Sequence, residues 1–229
     1  MGRQLWKPGN MLYPVPAVMV TCKREGGQPN IITIAWAGTV CSSPAMVSIS
    51  VRPERYSYDI IKASGEFVIN LVTEKLTFAT DYCGVKSGRD IDKFKATGLH
   101  TCPGLTVATP GIAESPVNIE CKVKEVIPLG SHHMFLAEVT GVQVDEAYMN
   151  ENGKFELNQL GLVAYSHGEY LGLGKKIGTF GYSVRKKKTV DKRTAKKITT
   201  KNESRSKKSP EKRTVNKNAT FRKKGKAKK

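Results

Sequence analysis

Ser48-Ile-Ser-Val-Arg-Pro-Glu-Arg-Tyr-Ser-Tyr-Asp-Ile-Ile61 is the stretch that decides how this chain folds. Its first half alternates apolar and small polar residues, as a strand with two different faces does. Pro53 forces an extended turn after Arg52. A helix then begins near Ser57, which can cap it, with Asp59 in the first turn, Ile60 and Ile61 facing the core, and Gly65 as the stop. A helix start presents unpaired N–H groups and a partial positive charge. Arg52 and Arg55 add full charges there, and Ser57 adds a hydroxyl. The set suits a phosphate monoester. It equally suits a capped helix with two solvated arginines, and Asp59 would repel an anion.

Outward from this stretch, further segments read as strands. They are 16–23, 30–37, 46–52, 67–72, 117–127 and 133–144, with turn signals at Gly26-Gly27 and Pro128-Leu-Gly130. A second short helix is expected from a Thr73 cap through Leu76, Phe78 and Tyr82 to Gly84, and 86–95 reads as a polar loop. Many short strands without an internal repeat predict a mostly β protein, a barrel or sandwich with short helices.

Charge divides the chain once. Up to Val184, 17 acidic residues balance 17 basic ones; from Arg185 onward there are 21 basic and 3 acidic, so the tail carries the whole net charge of +18. Its large apolar residues are Val190, Ile198, Val215 and Phe221 alone. That is too little to offset the entropy of ordering, so 185–229 is expected to be a disordered basic tail beside a domain at 1–184. Such runs bind polyanions such as nucleic acid without sequence choice, or serve as a solvating appendage.

Five cysteines, none spaced C-x-x-C, argue against a disulfide framework or zinc ribbon and point to a reducing cytoplasm, the cysteines acting as small hydrophobes. Met1–Asn10 lacks the apolar core of a signal peptide, Pro14 and Pro16 interrupt the run Met11–Val20, and no membrane association is expected. His132 and His133, adjacent at a strand start, point to opposite faces and do not share a metal. His167 reads as structural. Gly172–Gly178 has the wrong spacing and context for a dinucleotide loop.

Two further stretches carry candidate chemistry. Asn30–Thr39 ends in A-W-A-G-T, where small residues around Trp36 let a flat ring approach the backbone, although a core tryptophan has the same neighbours. Cys83–Phe94 places Lys93 beside Phe94 after a glycine-containing segment, which also fits a surface loop anchored by Ile91 and Phe94. Cys83 is the cysteine nearest these stretches.

Taken together, N-I-I-T-I-A-W (30–36), S-I-S-V-R-P-E-R-Y-S-Y-D-I-I (48–61), G-E-F-V-I-N (65–70), C-G-x-x-S-G-R-D-x-D-K-F (83–94) and Y-S-H-G-E-Y (165–170) resemble the flavin reductase family, in its flavoredoxin-like branch. The resemblance spans about residues 8–184. It implies a split β-barrel that binds FMN at a homodimer interface and passes electrons between NAD(P)H and an acceptor. Carried over, the flavin contacts fall on Asn30, Trp36, Ser57, Lys93, His132 and Tyr165. Thr33, Ala35, Ala37, Gly38 and Thr39 join them along the Trp36 stretch, with Ser50, Val51 and Phe94. The implied phosphate site coincides with Arg52, Arg55 and Ser57. Lys93 is expected beside the ring, and no side chain is expected to act as acid or base. An electron carrier reduced by a protein partner, and a flavoprotein located by its basic tail, are the competing expectations.

Overall fold

A computed structural model describes residues 1–185. The expected disordered tail therefore lies outside the described residues, apart from Arg185. In chain order the elements are β1 (Val15–Pro16), β2 (Val18–Cys22), β3 (Asn30–Ile34), β4 (Ala37–Ser42), β5 (Ala45–Val51), α1 (Tyr56–Ser64), β6 (Glu66–Leu71), α2 (Thr77–Val85), α3 (Lys93–Thr97), β7 (Thr101–Cys102), β8 (Gly111–Ile112), β9 (Val117–Leu129), β10 (His132–Val144), β11 (Val163–Ser166) and β12 (Glu169–Gly172). The described residues from Lys176 to Arg185 belong to a second unit and hold one 3-10 turn at Tyr182–Val184.

Seven strands pair antiparallel in the order β3-β2-β6-β9-β10-β5-β4. The two edge strands, β3 and β4, are consecutive in the chain and separated only by Ala35 and Trp36. A two-residue link brings the edges together, so the sheet curls into the expected split barrel. Alternation along β2 shows how its five buried residues are shared. Val18, Val20 and Cys22 enter the barrel core with Ile49, Ile61, Phe67 and Phe135, whereas Met19 points to a second cluster with Ile31, Leu76, Cys83 and Ile112. The helix α1 fills the barrel with Tyr58, Ile60 and Ile61, and Gly65 ends it at φ 69°.

Local details depart from the sequence reading. The cap of α1 is Arg55, not Ser57; the helix opens two residues earlier than a Ser57 cap would place it, and Ser57 is its buried second residue. Thr73 holds the cap position of a 3-10 turn at Glu74–Leu76, without a side-chain hydrogen bond to it, and α2 starts only at Thr77, with Phe78 facing solvent. The stretch 86–95 is not all loop, because Asp92 accepts from the Lys95 N–H and starts α3 at Lys93. The strand expected at 30–37 stops at Ile34. Two short strands, β11 and β12, lie in a region where none was expected.

A buried carboxylate pins the long connection before β9. Glu120, at 0% exposure, accepts from the Leu105 N–H (2.9 Å), the Thr106 N–H (2.5 Å), the Thr106 hydroxyl (2.5 Å) and Gln143 Nε2 (2.6 Å). Burial raises its pKa, but these four donors outweigh burial and the net direction is down. A carboxyl with a depressed folded pKa stabilises above its unfolded value, about 4.3, and loses that stabilisation as pH falls through the folded value. Glu120→Gln should therefore cost about 1–3 kcal/mol at pH 7 by urea unfolding. That deficit should shrink between about pH 5 and about pH 3. A deficit that is unchanged across this range would contradict the assignment.

Candidate functional site

The strand β3 begins against the start of α1, and the link between them is a buried hydrogen bond from Asn30 Nδ2 to Ser57 Oγ at 2.8 Å. Because Ser57 Oγ accepts here, its own proton remains to be donated. Arg55 lacks a side-chain contact to the helix start, so the first N–H groups of α1 are left to an outside acceptor. They border a cavity of about 180 Å³ whose wall includes Asn30, Arg55, Tyr56, Ser57 and Lys93.

Across this cavity runs the segment 86–89, which contributes Lys86, Ser87, Gly88 and Arg89. The Arg89 guanidinium donates from both Nη atoms to the Glu54 carbonyl (3.2 Å each) and lies over the Tyr56 ring, 5.6 Å from its centroid. Gly88 passes so close to β3 that a Cβ there would stand 2.1 Å from Asn30 Oδ1. Lys93 is buried at 4% exposure, and its ammonium donates to the carbonyls of Ile31 and Cys83, both at 2.7 Å. Burial lowers its pKa, and the charge of Arg55 pushes the same way. Four basic side chains thus meet one carboxylate, Glu54, around this cavity.

A second cavity of about 170 Å³ shares Ile32 and Arg55 with the first, so Arg55 stands at the junction. Thr33, Ala35 and Trp36 form one of its walls; Ser50, Val51, Arg52 and His132 form the other. The Ser50 N–H donates to the Trp36 carbonyl at 2.9 Å, and the Thr33 hydroxyl donates to the Thr80 carbonyl, which ties β3 to α2. Arg52 pairs with Glu54 at 3.2 Å. His132 shares a hydrogen bond with Ser131 Oγ at 3.0 Å. Burial, then Arg52 and Arg55, lower its pKa against an opposing pull from Glu54, so the ring is neutral at pH 7.

Most of the residues singled out in the sequence meet in these two cavities, but five do not line them. Ala37, Gly38 and Thr39 lie on the edge strand β4. Phe94 is a core residue, packed with Met19, Leu76 and Leu99. Tyr165 lies on β11 with its ring edge-on to Tyr170 at 5.6 Å. Lys93 lines the cavity of Arg55 and Ser57, not the one beside Trp36 where it was expected. His133 faces the opposite way from His132 and bonds Tyr58 Oη at 2.7 Å. Lys86, Ser87 and Arg89 were not picked out in the sequence. Their signal was a lysine, a serine and an arginine flanking Gly88, which the loop reading left unused. Cys83 lines the first cavity, but burial pushes its thiol up to about 11, so it is not a thiolate at neutral pH.

Comparison with known proteins gives a concordant picture. The profile of the flavin reductase like domain matches residues 10–174. The chain is 30% identical to the flavoredoxin of Desulfovibrio vulgaris (Miyazaki F), with a TM-score of 0.74 covering 81% of this chain and all of that one. The flavoredoxin from Methanosarcina acetivorans, 24% identical, shares the fold with a TM-score of 0.72 over 80% of this chain and 100% of its own. In sequence, an uncharacterised protein of Archaeoglobus fulgidus is 28% identical over 69% of this chain and 87% of its own length. One from Aeropyrum pernix is 32% identical over 58% of this chain, which spans half the length of that relative.

The close approach at Gly88 makes its own forecast. Gly88→Ala must push the 86–89 segment off Asn30, because the added carbon meets a side chain held in place by Ser57. The expected cost is about 1–3 kcal/mol in a denaturant titration, typical of overpacking. An unchanged midpoint would mean that the segment is not seated as described.

Proposed function

The chain belongs to the flavin reductase like domain family, and from that premise we propose that it is an FMN-binding oxidoreductase that takes electrons from NAD(P)H and hands them to an acceptor. The observation that carries this reading is the pair of cavities joined at Arg55, one basic and built on an uncapped helix start, the other lined by Trp36. The donor set fits a phosphate monoester: Arg55, Arg89 and Lys86 supply charge, and the start of α1 supplies N–H groups. The Ser57 hydroxyl still has a proton to give. Trp36, Ala35, Thr33 and Ser50 surround a space suited to a flat ring. When bound, FMN supplies the capacity to accept and release hydride or single electrons. Everything else falls to position and charge. Arg55 neutralises the phosphate at the junction, Lys93 braces β3 against α2, and neutral His132 offers one ring nitrogen to a polar edge.

A second reading is favoured by the 30% identity that extends over the full length of the D. vulgaris flavoredoxin. In that case the chain is an electron carrier with tightly held FMN, reduced by a protein partner. We further propose that it works as a homodimer, and that the basic stretch 185–229 ties it to nucleic acid. No helix among the described residues is long and apolar enough to cross a membrane.

Three experiments test these statements. The full chain loaded with FMN should show a flavin spectrum that bleaches anaerobically on adding NADH or NADPH. Persistence of the colour with both favours the carrier. Arg55→Ala with Ser57→Ala should weaken FMN binding about 10- to 10,000-fold, the loss of one or two charge-assisted hydrogen bonds at about 1.5–3 kcal/mol each. Circular dichroism checks that the barrel survives. A double variant that retains FMN as the parent does would refute the phosphate assignment. For the tail, duplex DNA should be retained on a filter by the full chain at low salt, and far less by a chain ending at Val184, with steep loss as salt rises. Equal retention by both would remove the tether.

A further inference from the structure

We propose that the rings of Trp36, Tyr13, Tyr165 and Tyr170 form a relay that carries a one-electron oxidising equivalent from the ring site to the surface, where Asp81 takes the tyrosine proton. The route starts in the cavity of about 170 Å³, of which Trp36 forms part of the wall. The ring centroids of Trp36 and Tyr13 lie 6.1 Å apart, those of Tyr13 and Tyr165 6.4 Å, and those of Tyr165 and Tyr170 5.6 Å. Each step is within the contact range of aromatic pairs. The Tyr170 hydroxyl then donates to Oδ1 of the exposed Asp81 on α2 at 3.4 Å.

The small sheet β1-β11-β12 sets this line. Its register places Val15 opposite Tyr165, and Tyr165 opposite Tyr170. Side chains directly opposed across two strands touch, so the β11–β12 hairpin fixes the last pair of rings. Tyr13 lies two residues before β1 and bridges the gap to Trp36. All four side chains are half-buried, so the row runs between the core and the surface.

Residue type separates a relay from ordinary packing. The three rings after Trp36 are all phenols, which give up an electron far more readily than a phenylalanine ring that would pack as well. Among the described residues, the tyrosine hydroxyls with a protein partner are those of Tyr58 and Tyr170. Tyr13 and Tyr165 therefore have no protein acceptor for the proton that a phenol sheds on oxidation, and the oxidising equivalent comes to rest at Tyr170. Burial, then the charge of Asp81, push the Tyr170 phenol up to about 12, so it keeps its proton at neutral pH until it is oxidised.

The oxidant is an oxygen-centred or similar radical that reaches the cavity. It takes one electron and the indole proton from Trp36. Tyr13 and Tyr165 each give one electron back along the row and regain one, while Trp36 regains an electron and a proton from solvent. Tyr170 loses one electron, its O–H bond breaks, and the proton moves to Asp81. A thiolate in solution returns one electron to Tyr170, becoming a thiyl radical, and Asp81 returns the proton. Radicals arising beside a redox cofactor are thus led away from it, a use that rests on the oxidoreductase reading above.

Pulse radiolysis of the full chain without cofactor tests the relay, with azidyl radical as the oxidant because it attacks indoles in preference to phenols. A Trp6→Phe background, at an exposed position, leaves Trp36 as the single tryptophan. The indolyl absorption should decay as the tyrosyl absorption rises, with a first-order rate independent of protein concentration. Tyr13→Phe and Tyr165→Phe keep the packing and should each abolish that first-order transfer, with circular dichroism unchanged. Asp81→Asn should slow the tyrosyl rise, and should have no such effect in a Tyr170→Phe chain. Absence of first-order transfer in the parent, transfer unaltered in either phenylalanine variant, or an Asp81→Asn chain as fast as the parent would overturn the proposal. Relay-dependent transfer in a chain that never takes up FMN would uphold the relay and refute the flavin reading; FMN uptake without transfer would do the reverse.

Discussion

The hydrogen bond from Asn30 to Ser57 fixes where β3 meets α1, and the rest of the site takes its position from that junction. Asn30 opens the strand and Ser57 is the second residue of the helix, so a single 2.8 Å contact sets the depth of the helix start behind the sheet edge. A buried amide left without this partner would cost about 1–3 kcal/mol, which makes other placements unfavourable. Gly88 rests on the same amide from the outside. Lys93 repeats the logic one residue along, tying the Ile31 carbonyl on β3 to the Cys83 carbonyl on α2. Three segments far apart in the chain are thus referenced to the first two residues of one strand.

Charge around this junction is unevenly committed. The two guanidiniums flanking Arg55 are already engaged: Arg52 with the Glu54 carboxylate, Arg89 with the Glu54 carbonyl and the Tyr56 ring. The Arg52 pair is exposed on both sides and worth little in water, so it gives way easily to a stronger anion. The Lys93 ammonium is buried between two carbonyls, which makes it a brace as much as a charge. Arg55 forms no ion pair among the described residues and stands where the two cavities meet.

Where a feature depends on neighbours in sequence, the sequence shows it. The alternation of Ser48–Val51 and the Gly65 stop of α1 are local facts, and both are legible. Where two segments compete for one role, the reading slips. Ser57 is the better capping residue by type, yet it is drawn inward by Asn30, and the cap falls to Arg55. Phe94 beside a lysine looks like a site pair, but α3 turns its ring into the core with Met19 and Leu99. The basic face of 86–89 could not be seen locally, because it is made by the approach of Gly88 to Asn30, 58 positions away in the chain. The strands β11 and β12 are only four residues each, too short for periodicity to register.

The break at Ala35 and Trp36 shows how one hidden detail links fold and site. Read as text, 30–37 is a mostly apolar run with no turn residue inside it, and a straight strand would satisfy it. The sheet order forbids that, since β3 pairs with β2 and β4 pairs with β5 at the opposite edge. The chain must leave one edge and join the other within two residues. The Trp36 carbonyl meets the requirement by accepting from the Ser50 N–H as β4 begins. A residue at such a corner has no strand neighbour on one side to cover it, so the indole stays half-exposed and lines the cavity it shares with Ser50 and His132. The closure of the barrel and the aromatic wall of the site are therefore consequences of the same two-residue turn.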